Sequence, residues 1–517
     1  MIMQKSLASI LVEAAAKLPH KIAVRFAGAN TTFAELDAAS NCIANGLIAK
    51  GVGPDDHVAL YCINSSHFMM AYFGVLKTGA TVVPINLLLH PEEVQYVLDD
   101  SECKAFIYHE VTDKAVAAIR PSLKTVKEFI AIGNTNIAEA DSFARLVTEE
   151  STTSVLVAPK QANDVAVILY TGGTTGLPKG AMLTHQNLLS NIASVIQALQ
   201  LDQFEDTFIT VLPMFHSFGA TVGFLSPVAA GSKVVALPQF APESTCKTIQ
   251  DEKATIFMGV PTMYAMMANL PADQQYDFSS LRLCVSGGAA MPVSVLERFE
   301  KRYGVAIYEG DGPTECSPVT CVNPIGGKRK MLSVGLPIPG VEMKIMDDNG
   351  AELPVNSMGE VCVRGKNVMK GYWKQPEETA QSFHGEWFRT GDLGKMDEDG
   401  YFYLVDRRKD MIIVHGINVY PRQVEEVIFQ HPAVAEAAVI GVPDDFHGEQ
   451  IKAFIALKAG YDLKPNEIIQ HCRKHLGRFE VPRRVEVLPS LPKSGAGKIL
   501  KRKLRDMEAE KRKGQQK

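Results

Sequence analysis

The chain has 517 residues, 46% of them apolar and 21% charged, with a formal net charge of −5. That length exceeds one core and implies about three to four domain-sized units, and the balance excludes a disordered chain. The mild acidity gives no reason to expect nucleic acid as a main partner.

Taken in order, residues 6–110 alternate between helix and strand patterns. Thr32 with Glu35 three residues on reads as a capping box. VALY at 58–61 predicts a buried strand, residues 68–78 an apolar helix stopped at Gly79, and residues 81–84 the next strand. Pro91 opens a further helix. Such spacing predicts parallel strands with helices on the sheet faces. Residues 111–163 are less regular and read as a connection between two halves of a larger domain. The alternation then resumes, with strands at 165–170, 209–212, 234–237, 256–258 and 283–286. After about residue 330, alternating strands at 359–365 and 400–406 predict a small β-barrel-like unit. From Asp410 a short α+β tail follows, with a helix begun by Pro421. The charged run DRRKD at 406–410 suits an interdomain joint or a plain exposed turn. The fold class expected is α/β: parallel α/β subdomains and a small β unit, then a small α+β C-terminal domain.

The nine cysteines are scattered without a C-x-x-C pair, so reduced core thiols and a cytoplasmic setting are expected. The longest apolar run, about residues 68–76, is far below the length of a transmembrane segment. The N-terminal stretch, interrupted by Glu13 and Lys17, lacks the form of a signal peptide. The basic stretch from Lys493 reads as a solvated helix rather than a binding arm.

The stretch with most chemical content is YTGGTTGLPKG at 170–180. Glycines allow successive N–H groups to face one anion, threonine hydroxyls add donors and Lys179 adds charge, which suits a polyphosphate. It is not a Walker A loop, because Gly180 follows the lysine where Ser or Thr is required. A plain Gly/Thr surface turn fits the same letters. Further clusters are each compatible with an ordinary turn or core residue. LPMFHSFG at 212–219 carries His216. GDGPTE at 310–315 ends in a hydroxyl and a carboxylate, Thr314 and Glu315, suited to phosphate and Mg2+. EWFRTGDLG at 386–394 offers Asp392 for a ribose diol, Arg407 offers a second polar contact, and PKSGAGK ends in Lys498.

Together and in this order, YTGGTTGLPKG, LPMFHSFG, GDGPTE, EWFRTGDLG, DRRKDMI and PKSGAGK resemble the adenylate-forming family of acyl-CoA synthetases, firefly luciferase and peptide-synthetase adenylation domains. The resemblance runs from about Thr32 to Lys498 and includes LKTGATVVPIN at 76–86. It implies an N-terminal adenylation domain, 1–406, and a mobile C-terminal domain, 407–517, with a hinge near Lys409. It implies that ATP first activates a carboxylic acid as acyl-AMP, with loss of pyrophosphate, and that a thiol such as CoA then displaces AMP. By motif, Thr171, Gly172, Gly173, Thr174, Thr175, Gly176 and Lys179 would hold the β- and γ-phosphates, and Glu315 the Mg2+. Thr314 would contact the α-phosphate and Lys498 would bridge that phosphate and the acid. Asp392 and Arg407 would hold the ribose, and His216 would stand beside the acyl carboxylate. Gly416 would leave room for pantetheine after a domain swing. Asp311 replaces the aromatic that commonly stacks on adenine, leaving the base to backbone near Gly288 and Gly310. Gly172 likewise replaces a common serine.

The segments expected to line the acyl pocket, 213–224, 256–264 and 284–291, are apolar or small. Phe215, Phe218, Gly219, Ala220, Gly223, Met258, Gly259, Val260, Gly287, Gly288 and Ala289 stand there without Lys, Arg or an acid. A medium- to long-chain fatty acid is therefore expected, with an aryl acid as the alternative. A ligase loading a carrier protein, or a nucleotide-binding protein with a dead site, are further alternatives. The lack of carrier sequence after Lys517 is expected to count against a peptide-synthetase module but not against a free-standing ligase, and intact Lys498 and Glu315 speak against the dead site. Oligomeric state is open, a homodimer included.

Overall fold

A computed structural model describes residues 5–157, 161, 163–171, 177–201, 205–414, 417–444, 448–458, 460–493, 497 and 499–515. Among these, the strands form four sheets. The first runs in the order Leu336–Pro337, Cys321–Val322, Ile307–Asp311, Leu283–Ser286, Ile256–Gly259, Thr207–Thr210, Lys233–Ala236, Ile22–Phe26 and Ala29–Thr32. From Ile22–Phe26 to Ile307–Asp311 all neighbours are parallel. Crossover helices supply the return paths, as the apolar runs between helical segments require.

The second sheet is built around His57–Tyr61, Thr81–Pro84 and Cys103–His109, parallel to one another. Val165–Thr171 adds in parallel and returns as an antiparallel hairpin, Lys179–Thr184, on whose outer side lies Gly371–Tyr372. Here residues 111–163 depart from the expected connection. They contain the helices Asp113–Ile119 and Phe143–Glu149, and the strands Glu128–Ile132 and Asp141–Ser142 extend this sheet. The EFIAI run is buried along four of its five positions and covers a strand edge, which a short apolar run among polar residues does not announce.

The helices Phe33–Ala49 and Ser66–Lys77 pack closely. A Cβ on Gly74 would lie 2.7 Å from Ile43, so glycine sets their approach. The fully buried Lys77 ties the pair, its ammonium 2.7 Å from Asp37 Oδ1 and 2.6 Å from Asn41 Oδ1. The capping box of Thr32 and Glu35 is present. The expected barrel-like unit is a curled antiparallel sheet of Val341–Met346, Gly359–Gly365, Trp387–Met396, Phe383–His384 and Phe402–Arg407. Register shifts at Glu360/Cys362 and Leu393/Gly394 mark its bends.

A three-residue 3₁₀ turn, Arg408–Asp410, leads from this sheet to the fourth. There Gly448–Leu457 pairs with Val434–Asp444, Ile412–Val414 and Arg484–Val487. Its apolar residues form their own cores beneath the helices Pro421–Phe429, Pro465–His475 and Lys501–Gln515. All nine cysteines are buried and unpaired. Among the described residues no helix is long and apolar enough to cross a membrane.

Candidate active site

Strand ends and the turns that follow them bring the polar clusters together. Thr171 and Lys179 face each other across the hairpin that flanks the Gly/Thr loop. Of that loop, Gly172, Gly173, Thr174, Thr175 and Gly176 lie outside the described residues, as do Gly416 and Lys498. Lys179 is buried, and its ammonium is paired with the Glu378 carboxylate. It also sits over the Tyr372 ring, 5.5 Å from the centroid.

The strand Ile307–Asp311 turns through Gly312 and Pro313 into the 3₁₀ turn Thr314–Cys316. Gly312 is obligatory there, since a Cβ would come within 1.6 Å of the Pro318 carbonyl oxygen. Three contacts hold the turn. The Tyr372 hydroxyl donates to Glu315 Oε1 at 2.8 Å, Met369 N–H donates to the Glu315 carbonyl at 2.7 Å, and Ser217 and Thr314 hydroxyls lie 3.1 Å apart. Ser217 begins a short helical turn whose preceding residue is His216. His216 Nδ1 accepts from Phe218 N–H at 3.3 Å, which directs the ring's other nitrogen away from the turn. His216 and Thr314 are thus joined through Ser217.

Asp392 and Arg407 are cross-strand partners in the curled sheet, with Arg407 Nε 2.9 Å from Asp392 Oδ1. The Asp392 carboxylate, with Asp311 and Glu315 beyond it, raises the guanidinium pKa further and keeps Arg407 charged. These four residues therefore share one electrostatic neighbourhood. Lys409 stands exposed on the turn that leaves the sheet.

An apolar cavity opens beside this cluster. His216, Phe218 and Val222 line one side, and Ser286, Gly287, Gly288, Gly310 and Asp311 another. Gly288 has φ +76° and open space beyond it, and a Cβ on Gly287 would press on the Phe218 ring at 3.3 Å. The remaining walls correct the sequence expectation. They come from Val195, Ala198 and Leu199 of the helix His185–Ala198 and its end, and from Pro318, Val319, Cys321 and Val322. Of the residues singled out in the sequence, Phe218, Gly287 and Gly288 line it, and the same segments also supply His216, Val222, Val285 and Ser286. Phe215 and Ala220 are buried in the main core with Met258 and Val260, while Gly219 lies against the Pro213 carbonyl and Gly223 against Thr210. Asp311, from outside the expected segments, adds one acid to the lining.

Beneath it, the neighbouring Glu309 is buried, accepts from Met291 N–H at 3.1 Å and faces Arg422 at 3.7 Å. Burial pushes its pKa up to about 7, with the Arg422 charge and the Met291 N–H opposing. Arg422 belongs to the helix Pro421–Phe429, whose Glu426 accepts from Val293 N–H at 3.2 Å. A second contact brings the C-terminal region to the site: Thr262 donates to the Gly497 carbonyl at 3.3 Å. Gly497, next to Lys498, thereby lies against the first turn of the helix Pro261–Ala268, just after the strand Ile256–Gly259. Tyr372, Glu378 and Ser217 are site neighbours that the motifs did not single out; in GYWKQPEET at 371–379 the one local signal is Pro376 at a helix start.

The Thr171–Lys179 hairpin strands, the Thr314–Glu315 turn, the Asp392–Arg407 pair and an apolar cavity are the parts of this site. Residues 11–373 match the AMP-binding enzyme family and residues 423–498 the AMP-binding enzyme C-terminal domain, and the chain belongs to that family. It is 38% identical to a long-chain-fatty-acid–CoA ligase of Bacillus subtilis (strain 168), over 98% of this chain and 95% of that one. It is 36% identical to a feruloyl-CoA synthase of an Amycolatopsis species, over 97% and 99%. The anthranilate CoA ligase AuaEII, solved with anthranoyl-AMP, superposes with a TM-score of 0.91 at 32% identity, covering 98% of both chains. The protein is an AMP-forming acid–CoA ligase.

Proposed function

We propose that the protein joins medium- to long-chain fatty acids to CoA through an acyl-AMP. The observation that carries this reading is the cavity: Val195, Ala198, Leu199, Val222, Val319 and Val322 give it aliphatic walls. An alkyl chain gains stabilisation for every methylene removed from water, about 0.8 kcal/mol each. The similarity to the Bacillus subtilis long-chain-fatty-acid–CoA ligase supports the same substrate class. An aryl acid is the second reading, favoured by the feruloyl and anthranilate relatives and by the Phe218 ring in the wall.

In the first step a carboxylate oxygen attacks the α-phosphorus of ATP and pyrophosphate leaves. Thr171, Lys179 and the loop 172–176 hold the outer phosphates, Thr314 donates to the α-phosphate, and Asp392 with Arg407 binds the ribose. His216 orients the acyl carboxylate, and Lys498 brings its charge to the two anions that must meet. The proximity of Gly497 to Thr262 is in keeping with Lys498 standing at this site. Adenine lies by Gly288 and Gly310, with Asp311 at the side. Mg2+ would be held by Glu315 and, when bound, neutralises phosphate charge as pyrophosphate departs. The residues fit that group. Glu315, its carboxylate held by the Tyr372 hydroxyl, would supply the single carboxylate that Mg2+ takes together with phosphate oxygens.

In the second step the CoA thiolate attacks the acyl carbon and AMP leaves. The domain 407–517 turns about Lys409 relative to 1–406, withdrawing Lys498 and bringing Gly416 to the pantetheine path. The buried, unpaired cysteines suit a reducing cytoplasm. A pyrophosphate-release panel of fatty acids graded by length beside aryl acids, with and without CoA, tests the assignment. Release peaking with an alkyl chain, and thioester only with CoA, is expected. A peak with aryl acids favours the second reading, and release without thioester favours carrier loading.

A further inference from the structure

One short strap of chain touches both charged residues of the phosphate end. Met369 N–H bonds the Glu315 carbonyl, Lys370 N–H the Met182 carbonyl at 3.0 Å and Trp373 N–H the Gly180 carbonyl at 2.7 Å. Tyr372 N–H donates to Thr379 Oγ1 at 2.8 Å, and Trp373 Nε1 to the Asp100 carbonyl at 2.9 Å. The strap is thus stitched to the strand that begins at Lys179 and to the turn that carries Glu315.

Two of its side chains differ in how firmly they are held. Tyr372 is 9% exposed, and its ring lies under the Lys179 ammonium while its hydroxyl donates to Glu315. Burial, then the Glu315 charge, raise the phenol pKa, so it remains a donor. Glu378 is otherwise placed. Its side chain is 36% exposed, and it supplies the carboxylate that neutralises an ammonium whose own side chain is only 10% exposed. A single carboxylate open to water is a weak competitor against a polyphosphate carrying several charges.

We propose that Tyr372 and Glu378 are positioning residues of the phosphate end. Tyr372 fixes the Glu315 carboxylate, and Glu378 holds Lys179 as a resting ion pair that an entering polyphosphate replaces. This rests on the reading of Lys179 and Glu315 as phosphate and Mg2+ residues. The resting pair keeps the lysine extended and uncharged on balance while the site is empty. When pyrophosphate leaves, Glu378 returns to the ammonium and opposes rebinding. Tyr372 does not exchange, and it keeps the metal carboxylate at a constant distance from the lysine.

The test is calorimetric binding of magnesium pyrophosphate to the full chain, with thermal midpoints recorded for each variant. Glu378→Gln removes the competitor and is expected to tighten pyrophosphate binding about fivefold. Tyr372→Phe is expected to raise the Mg2+ concentration for half-maximal pyrophosphate binding about fivefold, with affinity restored at saturating Mg2+. Glu378→Ala, without the amide, repeats the first measurement. A merely structural role would weaken binding in every variant rather than move it in opposite directions. Unchanged or weaker pyrophosphate binding in both Glu378 variants, or an unmoved Mg2+ requirement in Tyr372→Phe, overturns the proposal. Lys179→Ala separates the levels. If it weakens pyrophosphate binding while Glu378→Gln does not tighten it, the proposal alone fails. If Lys179→Ala binds as well as the parent chain, the phosphate assignment fails and the proposal with it.

Discussion

The region proposed to take the phosphates and the cavity proposed to take the acyl chain adjoin yet are built by different rules. At the phosphate end each polar group is held by a specific partner: Lys179 by Glu378, Glu315 by Tyr372, Arg407 by Asp392 and Thr314 by Ser217. The cavity, beyond His216, Ser286 and Asp311, is bounded mostly by apolar and small residues, contributed by a helix face, strand ends and turns from distant parts of the chain. Geometry is therefore strict where charge develops and loose where only area is buried. A family can keep one reaction and vary its acid because the second kind of wall tolerates substitution.

The largest expected effect tests the strict side. Lys498→Ala should lower acyl-AMP formation by about a thousandfold while largely sparing thioester formation from supplied acyl-AMP. Stopped-flow assays of the two half-reactions measure this, and equal loss in both would remove Lys498 from its assigned step. On the loose side, Ala198→Trp fills the cavity from the His185–Ala198 helix. It should cut kcat/KM for long-chain acids at least tenfold, leaving short acids and the KM for ATP near the parent values. A matching rise in the KM for ATP would show that the two regions are not separable.

The smallest effect concerns the buried Glu309, next to Gly310 of the cavity wall. Glu309 has its pKa raised to about 7, against 4.5 for an ordinary glutamate, by burial. Between those values the folded chain retains a proton that the unfolded chain has lost, so stability from this group falls as pH rises from about 4.5 to 7. Above that window the cost is about 3 kcal/mol at most. Glu309→Gln should flatten this part of the thermal-midpoint profile and raise the midpoint above neutral pH. A profile that keeps its slope in the variant would assign the pH dependence to another group.

Most of the fold was legible in the sequence. The strand at 283–286 and the one at 359–365 coincide with Leu283–Ser286 and Gly359–Gly365, and Pro91 and Pro421 do open helices. Such elements are specified locally, by apolar runs and by turn residues with restricted backbones. Residues 111–163 were misread because a strand such as Glu128–Ile132 gains its stability from a neighbouring edge, not from its own pattern. The same holds in the site. Thr314, Glu315, Asp392 and Arg407 stood out by motif and are brought into one neighbourhood. Two of the expected pocket segments, 213–224 and 284–291, do supply lining residues, whereas Val195, Ala198 and Leu199 were missed, since they are spaced as any buried helix face would be.

What the sequence by itself determined was the order of strands and helices and the chemical kinds gathered for adenylation. Phosphate and ribose recognition depend on few residue types at short spacings, which a linear pattern can carry. Tertiary structure alone decided which apolar side chains bound the cavity, that Asp311 lies in its wall, and that Tyr372 and Glu378 clasp the phosphate end. Those relations join residues more than 50 positions apart through packing and cross-strand contact, such as the 57 positions separating Tyr372 from Glu315. Hydrophobic burial has no direction, so nothing in a local stretch states what it will face.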